Sequence, residues 1–285
     1  MALIRYPGSK EKLRSSIIDR FPLSVSRPLF RNQLGLEYRE PFFGAGAIGF
    51  RFLQMLDRGA RVWLNDIAPG IVALWNSVWK NPSELCEQIF RFKPSTESFY
   101  KFKEEDGSIE LPEVEAGFRK LVLHQESFSG LGFMAGGPLG GKDQGNARYP
   151  VSCRWNPEGL RLTIAILHKR LQAFPNLKLT CDDFGELVHQ APRECFIYAD
   201  PPYYIQGSVL YKHAMAKEDH ERLASFLKGC RCDWLLSYDD HPQVRLLYSW
   251  ASIEAVHITY TTATARNGNR PKNQEITITP SQVHE

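Results

Sequence analysis

The run Cys195-Phe196-Ile197-Tyr198-Ala199 is apolar at every position and stops at Asp200-Pro201-Pro202-Tyr203. A short unbroken apolar run reads as a strand covered on both faces, as strands of parallel sheets are. Parallel strands need crossover connections, usually helices, so this feature points the whole chain toward an α/β architecture. The tetrapeptide then falls at the carboxyl end of the strand, where open α/β sheets hold their ligands. Pro201 and Pro202 have a fixed φ and no N–H to donate, which makes the corner stiff and leaves its carbonyls to accept. An amino group placed there would give its hydrogens to Asp200 and a prolyl carbonyl, turning its lone pair out of conjugation and toward an electrophile. Tyr203 adds a flat face on which a ring can stack. Alone, the four residues equally describe a proline-rich turn with a capping Asp, and the rest of the chain has to decide.

The chain has 285 residues, enough for the core of one large domain or two moderate ones. Its 43% hydrophobic and 24% charged residues are ordinary globular values and exclude a disordered or fibrous class. The net charge is only +3, yet Lys and Arg gather at Arg5 to Arg14, Lys142 to Arg154 and Arg266 to Lys272, with acids at Glu104 to Glu115. A near-neutral total can therefore contain a basic face suited to phosphates. The six cysteines show no Cys-x-x-Cys spacing and read as reduced core residues of a cytoplasmic protein. No apolar stretch approaches the ~20 residues needed to cross a bilayer, and the start lacks the apolar core of a secretory signal. The expectation is a cytoplasmic protein without membrane attachment.

Read in order, Arg5-Tyr6-Pro7-Gly8-Ser9-Lys10 is a turn, followed by a helix carrying Leu13, Ile17, Ile18 and Phe21. Tyr38 to Gly46 reads as a strand ending in a glycine turn that lets a ligand approach the backbone, with Ile48, Phe52, Leu53 and Leu56 continuing as a helix. A second strand, Arg61 to Leu64, ends at Asn65-Asp66, about 20 residues on, where nucleoside-binding α/β folds place an acid for ribose hydroxyls. Asp66 is also placed to cap the helix that starts at Pro69. From Asn76 the pattern is helical, with starts at Asn81-Pro82, Pro112 and Asn156-Pro157. Between the last two lies the glycine-rich stretch Ser129 to Arg148, which reads as a mobile basic loop or hairpin. Leu160, Ile164, Leu167 and Leu171 form a core stripe.

Strands resume at Leu177 to Cys181, ending in Asp182-Asp183-Phe184, then at the run leading to Asp200 and at Trp234 to Tyr238, with helices at Glu218 to Leu227 and Val244 to Trp250. Ile253 to Tyr260 and Glu275 to Thr279 read as an antiparallel pair joined by the basic loop Thr261 to Gln274. Residues 1–75 and 177–285 must therefore join in one mostly parallel sheet, bracketing a helical, glycine-rich insert over residues 76–176.

Three segments in this order, Arg5-Tyr6-Pro7-Gly8-Ser9-Lys10, Glu40-Pro41-Phe42-Phe43-Gly44-Ala45-Gly46 and Asp200-Pro201-Pro202-Tyr203, resemble the motifs of the Dam-like adenine-N6 DNA methyltransferases in their alpha arrangement. The resemblance implies a Rossmann-like S-adenosylmethionine-dependent methyltransferase fold, with an antiparallel terminal hairpin and a small helical DNA-recognition insert. It implies S-adenosylmethionine as donor, no metal, double-stranded DNA as partner, and flipping of the target base. Tyr6 and Lys10 would meet the amino-acid end of the donor, Phe43, Gly44 and Gly46 would pass under it, and Asp66 would hold its ribose. Asp183 and Phe184 would hold its adenine, with Asp182 as the alternative register. Asp200, Pro201, Pro202 and Tyr203 would form the catalytic corner, Asp200 facing both donor and target, and Tyr211 would lie near the flipped base.

Sequence readout falls to side chains that suit base edges: Gln125, Lys142, Asn146, Arg148 and Arg154. A monomer is the simpler expectation for methylating one strand at a time. Methylation of cytosine N4, of RNA adenine or of a protein glutamine is the alternative within enzymes. The Asp at the head of the tetrapeptide favours adenine. An inactive DNA-binding relative and a nicotinamide-dependent oxidoreductase are further alternatives, the last disfavoured by the missing third glycine.

Overall fold

The computed structural model describes residues 3–4, 10, 13–22, 35–106, 109–204, 214–256 and 275–281. Seven strands form one sheet: β1 (Glu37–Glu40), β2 (Arg61–Asn65), β3 (Leu177–Thr180), β4 (Cys195–Ala199), β5 (Asp233–Asp239), β6 (Ser252–Val256) and β7 (Glu275–Thr279). Their order is β3-β2-β1-β4-β5-β7-β6. The first five pair in parallel, whereas β7 runs antiparallel to both β5 and β6. The order reverses between β1 and β4, which makes the crevice beyond their carboxyl ends the topological switch point.

All five residues of β4 are buried. Their side chains alternate between two cores, Phe196 and Tyr198 in one and Cys195, Ile197 and Ala199 in the other. This is why the run has no polar position. Each face is then covered by helices whose apolar stripes the pattern had marked.

The helices are α1 (Arg14–Ile18), α2 (Gly49–Phe52), α3 (Pro69–Lys80), α4 (Pro82–Arg91), α5 (Thr96–Glu105), α6 (Glu113–Glu126), α7 (Pro157–Gln172), α8 (Phe184–Val188), α9 (Lys217–Gly229) and α10 (Pro242–Leu247). Leu85 of α4, Phe118 and Leu121 of α6 and Leu160, Ile164, Leu167 and Leu171 of α7 join the core that contains Trp75 and Tyr198. The helical insert therefore shares one core with the sheet, and the expected boundary near residue 75 lies within α3. Helices α3 and α6 touch at Gly117, where a Cβ would stand 2.7 Å from Leu74 Cα and 2.8 Å from Ala73 O. Only glycine allows that approach of two backbones.

Local departures from the pattern have identifiable causes. Helix α2 ends at Phe52 rather than continuing to Leu56, because the following amides of Gln54 and Met55 bond back three residues, to Arg51 and Phe52, as a tightened turn. Helix α10 stops at Leu247, short of Trp250, whose indole N–H caps the Leu247 carbonyl at 2.8 Å. Asn81 makes no side-chain cap, since it also closes α3 through its amide to Ser77, whereas Asn156 caps α7 by accepting from Gly159 N at 3.0 Å. All six cysteines are free; Cys195 and Cys232 are buried, but Cys153 and Cys181 are exposed and are not core residues. The loop 261–274 lies outside the described residues.

Candidate active site at the strand switch point

Two turns face the crevice. The first leaves β1 through Gly44 and Gly46, whose φ values are +48° and +68°. It is held from several sides: Phe43 N bonds Asn65 O at 2.8 Å, Gly44 N bonds Asp66 Oδ2 at 2.8 Å, and the Trp75 indole N–H donates to Gly44 O at 2.8 Å. Asp66 Oδ1 accepts from Ala68 N at 2.9 Å. The acid thus supports the entry to α3 and fixes the glycine turn at once. Burial raises its pKa although both backbone bonds oppose the shift.

Asn65 ties three strand ends together. Its Nδ2 donates to Pro41 O at 3.1 Å and Asp182 O at 2.9 Å, while its Oδ1 accepts from Asp182 N and Thr180 Oγ1, both at 2.8 Å. In the sequence, Asn65 stands out only as the neighbour of Asp66. Asp183, next along, is the N-cap of α8, accepting from Gly185 N at 2.8 Å and from Arg222 at 2.5 Å. Phe184 is buried, with Phe42 5.5 Å away on one side and the Arg222 guanidinium 4.4 Å from its ring.

The second turn is the proline corner. Asp200 Oδ1 accepts from Ser237 Oγ at 3.0 Å and from Lys10 Nζ at 2.6 Å, and Ser237 in turn shares a 2.9 Å bond with the Tyr198 hydroxyl. Lys10 is 3% exposed. Its ammonium also lies 3.4 Å from the Tyr203 hydroxyl, 4.9 Å from the centre of that ring and 3.8 Å from Glu275 Oε2. The Tyr203 hydroxyl donates to Glu275 Oε1. Burial is the first cause that raises the pKa values of Glu275 and Tyr203. Glu275 was invisible as a site residue because it opens an alternating strand. Tyr204, packed 5.2 Å from the His241 ring with its amide on Asp239, was also missed.

The arrangement has a plain chemical meaning. Asp200, itself half-buried, receives a cationic N–H donor from the buried Lys10, beside a rigid corner and across from a backbone turn opened by glycine. Such a site stabilises positive charge on nitrogen.

The remaining candidates lie apart from this cluster. Gln125 is buried and donates to Leu3 O at 2.7 Å, so its amide faces the interior rather than a partner surface. Lys142, Asn146 and Arg148 are exposed together on the segment between Leu139 and Val151. That segment is an organised loop rather than a hairpin, pinned by Gln144, which donates to Leu139 O and Gly141 O and accepts from Val151 N. Asn146 bonds Asp143, Arg148 lies over Tyr149, and Arg154 reaches Ser127 O at 3.5 Å. Phe128, at the head of the insert loop, is 66% exposed, a large apolar surface that a lone aromatic in sequence does not announce. Tyr6 and Tyr211 lie outside the described residues.

Glu126, the last residue of α6, is buried with no hydrogen-bond partner for either carboxylate oxygen among the described residues, and burial pushes its pKa up to about 8. An unfolded Glu titrates lower, so between about pH 4.5 and pH 8 the folded chain holds the extra proton and stability falls as pH rises. Glu126→Gln removes this loss. In urea unfolding at pH 6 and pH 9, the native protein is expected to lose roughly 2 kcal/mol more than the variant. Equal losses would contradict a buried, unpaired acid.

Among the described residues no helix is long and apolar enough to cross a membrane, and no group of three or more His, Cys, Asp or Glu is placed to hold a metal ion. The sheet order and helical cover are those of the Rossmann-like methyltransferases. Residues 6–262 match the sequence profile of the D12 class N6 adenine-specific DNA methyltransferases, and the chain belongs to that family. It is 25% identical over 256 residues to the Type II methyltransferase M1.LlaDCHI of Lactococcus lactis subsp. cremoris, covering 84% of each chain. It is 22% identical over 242 residues to the Type II methyltransferase M.MjaIII of Methanocaldococcus jannaschii, covering 79% of this chain and 78% of that one.

Proposed function

We propose that this methyltransferase transfers the methyl group of S-adenosylmethionine to N6 of an adenine flipped out of duplex DNA. The observation that carries the proposal is Asp200, anchored by Ser237 and holding a cationic nitrogen 2.6 Å away at the proline corner. Adenine N6 is a poor nucleophile because its lone pair is delocalised into the ring. Asp200 and a prolyl carbonyl accept its two hydrogens, freeing the lone pair and offsetting the positive charge that grows as the N–C bond forms. The nitrogen then loses one proton to solvent. The donor supplies an electrophilic methyl on a sulfonium, which leaves as a neutral thioether.

The residues at the crevice fit that donor. Gly44 and Gly46 bring backbone close, buried Asp66 stands beside them, and Phe42 and Phe184 form an apolar wall. We assign donor contacts to Phe43, Gly44, Gly46, Asp66, Asp183, Phe184 and Lys10, with Tyr6 as a further candidate. Without substrate, Lys10 occupies the Asp200 carboxylate; an entering amine takes its place, and Glu275, 3.8 Å from the ammonium, receives it. Stacking on Tyr203 offsets part of the cost of extruding the base, at about 1–3 kcal/mol.

We assign target recognition to the loop between Phe128 and Arg154. Lys142 and Arg148 expose charge to phosphates, and Phe128 exposes a ring to the base stack. Changing Lys142 and Arg148 together to Ala is expected to reduce the slope of log affinity against log salt by about 2 for duplex DNA; an unchanged slope would place the DNA elsewhere. The function itself is tested with purified chain, unmethylated plasmid and donor carrying a labelled methyl. Label is expected in DNA, and its absence would contradict the proposal.

A further inference from the structure

Strand β5 reaches the proline corner at two points. Ser237 and Asp239 stand two residues apart on it, so their side chains leave the same face of the sheet. Ser237 Oγ donates to Asp200 Oδ1 at 3.0 Å, at the head of the corner. Asp239 Oδ1 accepts from the Tyr204 amide at 3.3 Å, at its tail. Between these points the chain has little means of holding itself, because Pro201 and Pro202 bring no N–H to donate. Tyr203 lies between the two tethers.

The turn after β5 divides its charges. Asp240 is engaged by Arg245 of α10 at 2.5 and 3.0 Å, while Asp239 turns to the corner. His241, next along, stacks on the Tyr204 ring at 5.2 Å with 18° between the planes, and His220 of α9 packs against the same ring at 5.0 Å. Tyr204 is thus held by its backbone and by its ring.

We propose that β5 clamps the proline corner at both ends, with Ser237 and Asp239 as positioning residues for methyl transfer. Ser237 sets the orientation of the Asp200 carboxylate, and Asp239 sets the backbone path that carries the Tyr203 ring. The proposal rests on the corner being the amine site, and it adds residues that act through Asp200 and Tyr203 rather than on the amine itself. A misplacement of about 1 Å at reacting groups costs about 10²-fold in rate. Loss of either tether therefore acts on turnover and leaves DNA affinity in place.

The test compares the full native chain with Asp239→Ala, Asp239→Asn and Ser237→Ala. Asp240→Ala is the control for loss of a nearby charge, and circular dichroism verifies folding. Deuterium exchange, read by mass spectrometry on the peptide containing Tyr203 and Tyr204, reports the tail tether without any need for activity. In Asp239→Ala the Tyr204 amide is expected to exchange about tenfold faster or more. Asp239→Asn keeps an acceptor oxygen and is expected to restore the protection, and Asp240→Ala to match the native chain. Single-turnover methylation of plasmid DNA reads the consequence, with rates about 10- to 100-fold lower in Asp239→Ala and in Ser237→Ala and recovered to within about threefold of native in Asp239→Asn. Native exchange in Asp239→Ala would overturn the clamp, as would native turnover in either Ala variant. A rate that Asp239→Asn does not recover would overturn it too, since charge rather than the tether would then matter. A native chain that methylates no DNA would contradict the proposed function instead, and the exchange rates would decide the clamp alone.

Discussion

Asp200→Ala is expected to lower kcat by about 10³-fold or more while leaving the Kd for duplex DNA within about threefold. The side chain is the charged acceptor at the corner, tethered by Ser237 and engaged by Lys10. Removing it takes away the charge that balances a cationic nitrogen at the corner. Lys10 stays 3.8 Å from Glu275, so the buried ammonium keeps a carboxylate nearby and the fold has a means of tolerating the change. Asp200→Asn keeps the shape and one carbonyl acceptor but loses the charge, and is expected to fall between the native enzyme and Ala. Single-turnover rates with saturating DNA check this directly. A kcat within about threefold of native in the Ala variant would remove Asp200 from the chemistry.

Gly46→Ala is the second large effect, and it acts through structure. At φ +68° an added Cβ would lie 2.6 Å from two carbons of the Phe50 ring and 2.7 Å from Phe43 Cζ. A side chain in the left-handed region costs about 1–2 kcal/mol, and crowding in a packed core adds about 1–3 kcal/mol. Together these amount to roughly 2–5 kcal/mol, a Tm lower by roughly 5–15 °C. Because the same turn forms the floor of the crevice, affinity for the methyl donor is expected to fall with it. Gly229→Ala is the control: its Cβ meets nothing within 4 Å, so it should change stability by less than about 0.5 kcal/mol. A native-like Tm and donor affinity in Gly46→Ala would mean that the turn is not as tightly held as its contacts require.

The parts of this fold that were legible beforehand are those in which one local signal has one physical cause. Five apolar residues in a row at Cys195 to Ala199 leave no solvent-facing side, which places that strand in the middle of a sheet. The stripe at Leu160, Ile164, Leu167 and Leu171 likewise has only one helical reading, and all four are buried. What sequence could not supply was pairing at a distance. Lys10 and Asp200 are 190 positions apart, and nothing local says that an ammonium will rest on that carboxylate. Glu275 reads as the polar start of an alternating strand, and only the antiparallel insertion of β7 beside β5 carries it to Tyr203.

The insert shows the same division. Gln125 has the chemistry to read a base edge, yet α6 turns it inward to the Leu3 carbonyl. Phe128, with the chemistry of a core residue, is left exposed where α6 ends and a tight turn begins. Side-chain type set the list of candidates, and helix phase decided which of them reach the surface.

The account rests on a nitrogen held by Asp200 being the exocyclic amine of adenine, and nucleoside mass analysis of plasmid DNA treated with the purified chain and S-adenosylmethionine tests that most directly. The account predicts N6-methyladenine in the digest, with none when the Asp200→Ala variant is used. N4-methylcytosine without methyladenine would contradict it.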